Sequence, residues 1–229
     1  MPTDPTDQIQ AYILVIDTST AQGCVVLYDG VHLSTRTWPA ARTHTTTLLR
    51  EIHHLLASTG ISSEALSAVA VSSGPGAFTA LRVGMGFAKG FHLAADTPLI
   101  DIPTLEATAL PFAGADQRII ATLPAGRGRL VWQYFAGAGH TVTSVSEPRN
   151  GMVDDLAADL RSEPDTRFIV AGELAPDHAD LLEALENTVI PLPALRYRQP
   201  GALAELAWRK WQAADLADPM LLEPVYLSR

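Results

Sequence analysis

The sequence contains a single cysteine, Cys24, and only two lysines, Lys89 and Lys210, among its 229 residues. One cysteine excludes an internal disulfide, which fits a reducing compartment such as the cytoplasm. Cys24 begins the apolar run Cys24–Tyr28, so we expect a buried structural thiol and not a nucleophile. The formal net charge is −9 and the arginines are scattered. This argues against a chain that grips a nucleic acid backbone by itself, because such binding needs clustered Lys and Arg.

Long hydrophobic runs are also missing. No apolar stretch approaches the roughly 18 residues of a membrane span, so we expect no membrane association. The segment Met1 to Gln10 is polar and lacks the basic and apolar regions of a signal peptide, so we expect a polar leader there. A chain of 229 residues with 47% hydrophobic residues can bury a core in one large domain or two small ones.

The common catalytic patterns are absent as well. The glycine and lysine spacings of nucleotide-binding loops and the Gly-x-Ser-x-Gly elbow do not occur. Three histidines lack the i, i+4 spacing of a helical metal pair: His44, His53 and His54. A nuclease metal site needs several carboxylates, and Asp17 and Glu51 supply only two. The sequence therefore predicts no catalytic residues, no metal site and no cofactor.

The most informative segment is Gly74-Pro75-Gly76-Ala77-Phe78-Thr79-Ala80-Leu81-Arg82-Val83-Gly84. It follows the apolar run Ser67–Ser72, which predicts a buried strand, and its Gly-Pro-Gly turn leads into a helix that ends near Ala94. The backbone N–H groups at such a helix start are suited to an anion. The segment therefore suggests a phosphate-binding turn, although it matches no standard nucleotide motif.

This helix carries three interior glycines, Gly84, Gly86 and Gly90. Each costs about 1 kcal/mol relative to alanine, a cost usually kept because another backbone must come close. One interpretation is a helix built for close contact with a partner helix. The alternatives are that the glycines pack on the protein's own sheet and that the turn is only a connection.

The order of predicted elements repeats. Strands starting at Tyr12, Cys24 and Val31 precede a helix with the apolar stripe Leu48, Leu49, Ile52, Leu55 and Leu56, then a strand and the glycine-rich helix. The second half shows the same βββαβα order, with its first strand at Ile119–Leu123. This duplicated α/β unit, with ribonuclease H-like halves, is typical of the actin, Hsp70 and sugar-kinase group. We expect halves at 9–107 and 108–229, with the last helix, Leu203–Ala214, returning to either half.

The nucleotide-binding features of that group are degraded here. Asp17-Thr18-Ser19-Thr20 stands in the first hairpin, where the group holds metal and phosphate. The corresponding hairpin of the second half, Leu123–Arg127, has no carboxylate, and the adenosine turn at Val170–Leu174 has one glycine where two are usual. The sequence thus predicts at most a vestigial phosphate site at Asp17, Thr18, Ser19 and Thr20. The alternative for Asp17 is a hairpin-capping role.

With these residues in view, the chain resembles the bacterial TsaB (YeaZ) family, which assists synthesis of threonylcarbamoyladenosine at the tRNA adenosine beside the anticodon. The matching residues are Ile16-Asp17-Thr18-Ser19-Thr20, His44-Thr45-x-x-Leu48-Leu49, the Gly74–Gly84 segment, Ala88-Lys89-Gly90 and Pro224-Val225-Tyr226-Leu227. The sequence departs from the family pattern at Ala77, at Ala80 and at Pro124–Arg127, where an Asp-Ala-Arg segment is usual.

The resemblance implies a non-catalytic subunit, without transferase or significant ATPase activity, that supports the TsaD transferase. TsaD carries a His-x-x-x-His metal pair, which this chain lacks. The implied docking surface uses the first two helices of the N-terminal half and includes Leu48, Leu49, Ile52, Leu55, Leu56, Phe78, Leu81, Met85, Gly86 and Gly90. The resemblance further implies a TsaE-type ATPase in the assembled complex, a homodimer when the chain is alone, and tRNA contact only through the complex. An active sugar-kinase-like ATPase and, less favoured, a peptidase are the alternatives.

Overall fold

Two β-sheets flanked by helices make up the described part of the chain. The computed structural model describes residues 10–39 and 44–227, without the side chain of His44. Nearly all of the predicted polar leader lies outside these ranges, as do residues 9, 40–43, 228 and 229 of the predicted halves. Within them, no helix combines the length and the apolar character needed to cross a lipid bilayer.

The first sheet has five strands in the order β3-β2-β1-β4-β5. Its strands are β1 (Tyr12–Asp17), β2 (Gln22–Tyr28), β3 (Leu33–Pro39), β4 (Leu66–Gly74) and β5 (Leu99–Pro103). Strands β1 to β3 are antiparallel neighbours, whereas β4 runs parallel to both β1 and β5. The helices of this half are α1 (His44–Thr59), α2 (Phe78–Ala95) and α3 (Thr104–Ala109).

The second sheet repeats this arrangement. Its strands are β6 (Arg118–Pro124), β7 (Arg129–Ala138), β8 (Thr141–Ser144), β9 (Arg149–Met152), β10 (Phe168–Gly172) and β11 (Thr188–Val189). The helices that follow are α4 (Val153–Arg161), α5 (Pro176–Glu183), α6 (Pro193–Arg196) and α7 (Pro200–Gln212). The order β8-β7-β6-β10-β11 is that of the first sheet, with β9 added beside β7. The predicted duplicated α/β fold is therefore confirmed.

Strand β1 is buried on both faces and divides the first half into two cores. Ile13 and Val15 face a cluster that includes Leu203 and Leu206 of α7. Leu14 and Ile16 face the opposite cluster, which α1 and α2 supply. This division follows from the alternation of side chains along a strand. Helix α7 accordingly packs on the first sheet, with contacts to β1, β2 and β5.

The three interior glycines of α2 differ in what surrounds them. A Cβ on Gly84 would lie 2.6 Å from Thr18 Oγ1, so the close approach of the turn after β1 requires a glycine there. A Cβ on Gly86 or Gly90 would meet nothing within 4 Å. Internal packing therefore accounts for Gly84 and leaves Gly86 and Gly90 without a reason inside the described fold.

Replacing Gly86 by alanine is expected to raise the free energy of unfolding by about 1 kcal/mol, because alanine favours a helix interior and the new methyl group meets open space. Gly84→Ala in the same helix is the control, and it should lack this gain because its Cβ would approach Thr18. Urea denaturation measures both variants. Equal stabilisation by the two substitutions would contradict this packing account.

Candidate functional site

The turn after β1 is the centre of a buried ion-pair network. One carboxylate oxygen of Asp17 accepts hydrogen bonds from the Ser19 amide at 2.9 Å and the Ser19 hydroxyl at 2.6 Å. The other accepts from Nε of Arg198 at 2.6 Å. Arg198 also donates to Glu173 at 2.8 Å and to the Thr20 hydroxyl at 2.6 Å, and Thr20 donates to Glu173. One guanidinium thus joins the first hairpin to the turn that follows β10.

Burial and charge act against each other in this network. Burial alone would raise the pKa of the Asp17 carboxyl, but the Arg198 guanidinium and the Ser19 hydrogen bonds hold this pKa below its usual range. Burial would lower the pKa of Arg198, yet Asp17 and Glu173 raise it, so the guanidinium stays charged. The neighbouring Cys24 is buried as predicted, and burial raises the pKa of its thiol, with Asp17 acting in the same direction. Cys24 is therefore not an activated nucleophile.

The residues of the predicted phosphate turn lie next to one another at the end of β1. Their polar groups form hydrogen bonds within the protein instead of being left for a phosphate. Besides Asp17 and Thr20, Thr18 is committed, since its hydroxyl donates to the Ala80 carbonyl at 2.6 Å. The Ser19 carbonyl accepts from the Ala77 amide at 2.7 Å. Asp17 is the ion-pair partner of Arg198, a residue that the sequence analysis missed. Because Arg198 lies 181 residues further along the chain, no local spacing points to it.

The corresponding hairpin of the second half, between β6 and β7, has no carboxylate that could hold a metal ion beside a phosphate. Pro124 to Gly128 form an exposed turn in which Gly126, Arg127 and Gly128 all have positive φ. Among the residues that the structure describes, no group of three or more His, Cys, Asp or Glu side chains is arranged to hold a metal ion.

The ten residues predicted for docking divide into two groups. Five are buried against the first sheet and cannot be reached from outside: Leu48, Ile52, Leu55, Leu81 and Met85. Their apolar stripe serves the core because amphipathic helices turn that side to the sheet. The remaining five are exposed or half-buried on the outer side of α1 and α2: Leu49, Leu56, Phe78, Gly86 and Gly90. We call this second group the α1–α2 face.

A largely apolar groove of about 660 Å³ runs along α2 on this face. It is lined by Thr45, Ser63, Glu64, Arg82, Val83, Gly86, Phe87, Gly90, Phe91, Ala94 and Ala95. Gly86 and Gly90 keep it open, since neither position carries a side chain. We call this feature the α2 groove.

An aromatic pair lies at the N-terminal end of α2, beside Arg82 of the groove lining. The rings of Phe78 and Tyr226 lie 4.8 Å apart, and the Arg82 guanidinium sits 4.0 Å from the Phe78 ring centroid. Phe78 is 52% exposed and Tyr226 45% exposed. The C-terminal segment is fixed there because the Val225 amide donates to the Ser73 carbonyl. The family motif at Pro224–Leu227 was the only sequence signal for Tyr226.

The folded-state pKa of Asp17 lies below its ordinary value of 3.8. Its ionised carboxylate therefore adds stability that is present above about pH 4 and is lost as the pH falls through the folded-state pKa. Asp17→Asn should lower the free energy of unfolding by about 3 kcal/mol at neutral pH, because it breaks a buried pair. Denaturation curves should show this difference constant between about pH 5 and pH 7 and shrinking below about pH 4. A difference that widens on acidification would contradict the assignment.

Comparison with known proteins assigns the chain to a family. The model of the family described as "TsaD: tRNA N6-adenosine threonylcarbamoyltransferase" matches residues 38–166. The tRNA threonylcarbamoyladenosine biosynthesis protein TsaB of Escherichia coli is 26% identical over 216 residues, which cover 92% of this chain and 94% of that protein. An uncharacterized protein of Mycobacterium tuberculosis is 30% identical over 220 residues, covering 95% of this chain and 92% of that protein.

A solved structure extends the comparison to the fold. YeaZ from Pseudomonas aeruginosa superposes with a TM-score of 0.78 at 21% identity and covers 95% of this chain and all of its own. The sequence matches span nearly the whole chain, and the family model spans more than half of it, including α1 and α2. The chain therefore belongs to the TsaB (YeaZ) family, within the wider group that the TsaD family model describes.

Proposed function

We propose that this chain is the non-catalytic subunit of the complex that makes threonylcarbamoyladenosine in tRNA, and that its α1–α2 face docks a TsaD-type transferase. The observation that carries the proposal is the open space at Gly86 and Gly90. Two glycines in a helix interior cost about 2 kcal/mol together, and nothing within the described fold requires them. A helix of another chain lying in the α2 groove would require them, because small residues let two helix backbones approach closely.

The chemistry of the face supports a helical partner. The groove offers Val83, Phe87 and Phe91 as an apolar floor, and Leu49 and Phe78 expose apolar surface beside it. Apolar grooves of this kind accept the apolar side of an amphipathic helix. Helix α2 carries Arg82 and Lys89 and no acidic residue, although the chain as a whole has a net charge of −9. Arg82 and Glu64 both line the groove, so we expect the partner to place a carboxylate opposite Arg82 and a basic side chain opposite Glu64.

The ion-pair network supports the non-catalytic part of the proposal. An actin-like kinase or ATPase needs an aspartate free to hold a metal, and positive charge aimed at the phosphates. Here the Asp17 carboxylate pairs with Arg198 inside the chain, and the β6–β7 hairpin lacks a second carboxylate. The alternative of a working ATPase or kinase would require both features to be reversed, and no observation favours the peptidase.

The remaining parts of the proposal concern further partners, the cellular location and the division of the chain into halves. A TsaE-type ATPase joins the assembly, tRNA is reached only through the complex, and the isolated chain dimerises through the same α1–α2 face. The complex works in the cytoplasm. We propose that the halves divide at 107 and 108, with α7 completing the N-terminal half, a division supported by the packing of α7 on the first sheet.

Gly86→Leu and Gly90→Leu should each weaken binding to the TsaD-type partner at least about tenfold, which corresponds to about 1.4 kcal/mol. The reason is that a leucine side chain would fill the groove that the partner helix needs. Calorimetric titration with the purified partner from the same source measures the effect, and circular dichroism verifies that the variants fold.

The matched control is Gly201→Leu. Gly201 also lies in a helix with nothing within 4 Å of its Cβ position, but on α7, away from the α1–α2 face. This variant should bind the partner normally. If all three variants bind with wild-type affinity, the docking surface lies elsewhere.

The purified chain alone should show no turnover with ATP and magnesium, and none with tRNA and threonylcarbamoyl-adenylate. Modification of tRNA should require the TsaD-type partner as well, and Gly86→Leu should fail to support it. Mass spectrometry of digested tRNA and a phosphate-release assay provide the measurements. Turnover near one per second by the chain alone, a rate that many enzymes reach, would overturn the non-catalytic assignment.

A further inference from the structure

The guanidinium of Arg198 lies between the Asp17–Thr20 turn after β1 and Glu173, which follows β10. Its side chain is only 3% exposed and contacts Asp17 and Thr20 of the first hairpin on one side and Glu173, after β10, on the other. Two carboxylates from opposite halves would repel each other across this cleft without a cation between them. Arg198 supplies that cation from within the chain.

The same hairpin holds the start of α2. The Ala77 amide donates to the Ser19 carbonyl, and the Thr18 hydroxyl donates to the Ala80 carbonyl. Two glycines allow this approach, because a Cβ on Gly76 would lie 2.4 Å from the Ser19 carbonyl oxygen and one on Gly84 would lie 2.6 Å from Thr18 Oγ1. The position of α2 is therefore tied to the conformation of the Asp17–Thr20 turn.

These contacts form one continuous path. It runs from Glu173 in the second half, through Arg198 and the Asp17–Thr20 turn, to the first turn of α2. The outer side of α2 carries Arg82, Gly86 and Gly90, which line the α2 groove. Loss of the guanidinium would leave two carboxylates facing each other in a buried site, and the turn would shift to relieve them.

We propose that Arg198 is a positioning residue for the docking surface, a built-in cation that fixes the start of α2 against the second half without a bound ligand. The proposal rests on the proposed function of the α1–α2 face. If Arg198 has this role, the geometry of the α2 groove depends on a side chain that lies outside the α1–α2 face.

The test uses chemical rescue of Arg198→Ala. The melting temperature of this variant should be about 10 °C lower than that of the parent chain, because the substitution breaks a buried ion pair. In binding measurements made in the cold, at about 10 °C, where the variant remains folded, its affinity for the TsaD-type partner should be at least tenfold weaker. Millimolar guanidinium chloride should restore part of both losses, whereas sodium chloride at the same ionic strength should not. Arg196→Ala is the control, since Arg196 is two residues away and its buried Nη1 has no hydrogen-bond partner among the described residues. It should show neither loss nor rescue.

Arg198→Lys covers the case in which Arg198→Ala does not fold. An ammonium keeps the charge but cannot bridge both carboxylates and Thr20 as the planar fork does, so we expect partner affinity between that of the parent chain and that of Gly86→Leu. Guanidinium should not restore binding by Gly86→Leu, whose groove is blocked. If Gly86→Leu loses affinity while Arg198→Ala or Arg198→Lys binds like the parent chain, the positioning role is wrong and the docking surface stands. If Gly86→Leu also binds normally, the docking surface itself is wrong.

Discussion

The buried ion pairs of Arg198 are the interaction that holds the turn after β1 between the two halves. The guanidinium neutralises carboxylates that come from different sheets and are separated by more than 150 residues of chain. Breaking such a contact in a buried site strongly destabilises the protein, because the remaining charge is left without a partner. Arg198 thus links the two halves at this point through a side chain of the protein itself.

The glycines of α2 have two different roles, one in internal packing and one at the surface of the helix. Gly84 faces inward, where the turn after β1 comes too close for any side chain. Gly86 and Gly90 face outward into the α2 groove, where the described fold places nothing. Gly84 is therefore needed for the fold, whereas Gly86 and Gly90 shape a groove that no residue of the described fold fills. A helix that gives up stability at two exposed positions is typical of a binding element.

Much of the fold was predictable because its strands are apolar runs separated by turn signals. The apolar runs Ile119–Leu123 and Leu130–Phe135 lie within β6 and β7, and the amphipathic stretch Val153–Leu160 lies within α4. Strands β9 and β11 escaped prediction because Arg149–Met152 has no apolar alternation and Thr188–Val189 is only two residues long. The segment Pro191–Pro200 holds three prolines, a composition typical of extended chain. It nevertheless contains α6, since proline suits the first turn of a helix.

The candidate site was only partly predictable. The glycines and the Asp17–Thr20 turn stand out in the sequence because their residue types are unusual for their positions. The contact between Arg198 and Asp17 does not, because tertiary folding alone brings them together. The apolar residues of α1 and α2 follow one periodic pattern, which cannot distinguish the five that pack on the sheet from those that remain exposed.

The central claim is that α2 is the binding element of the chain, and hydrogen exchange tests it most directly. Amide exchange should be measured for the chain alone and with a saturating amount of the TsaD-type partner. The account predicts added protection in α1 and α2, within His44–Thr59 and Phe78–Ala95, and unchanged exchange in α4 and α5. Protection confined to α4 and α5, with α2 unchanged, would contradict it.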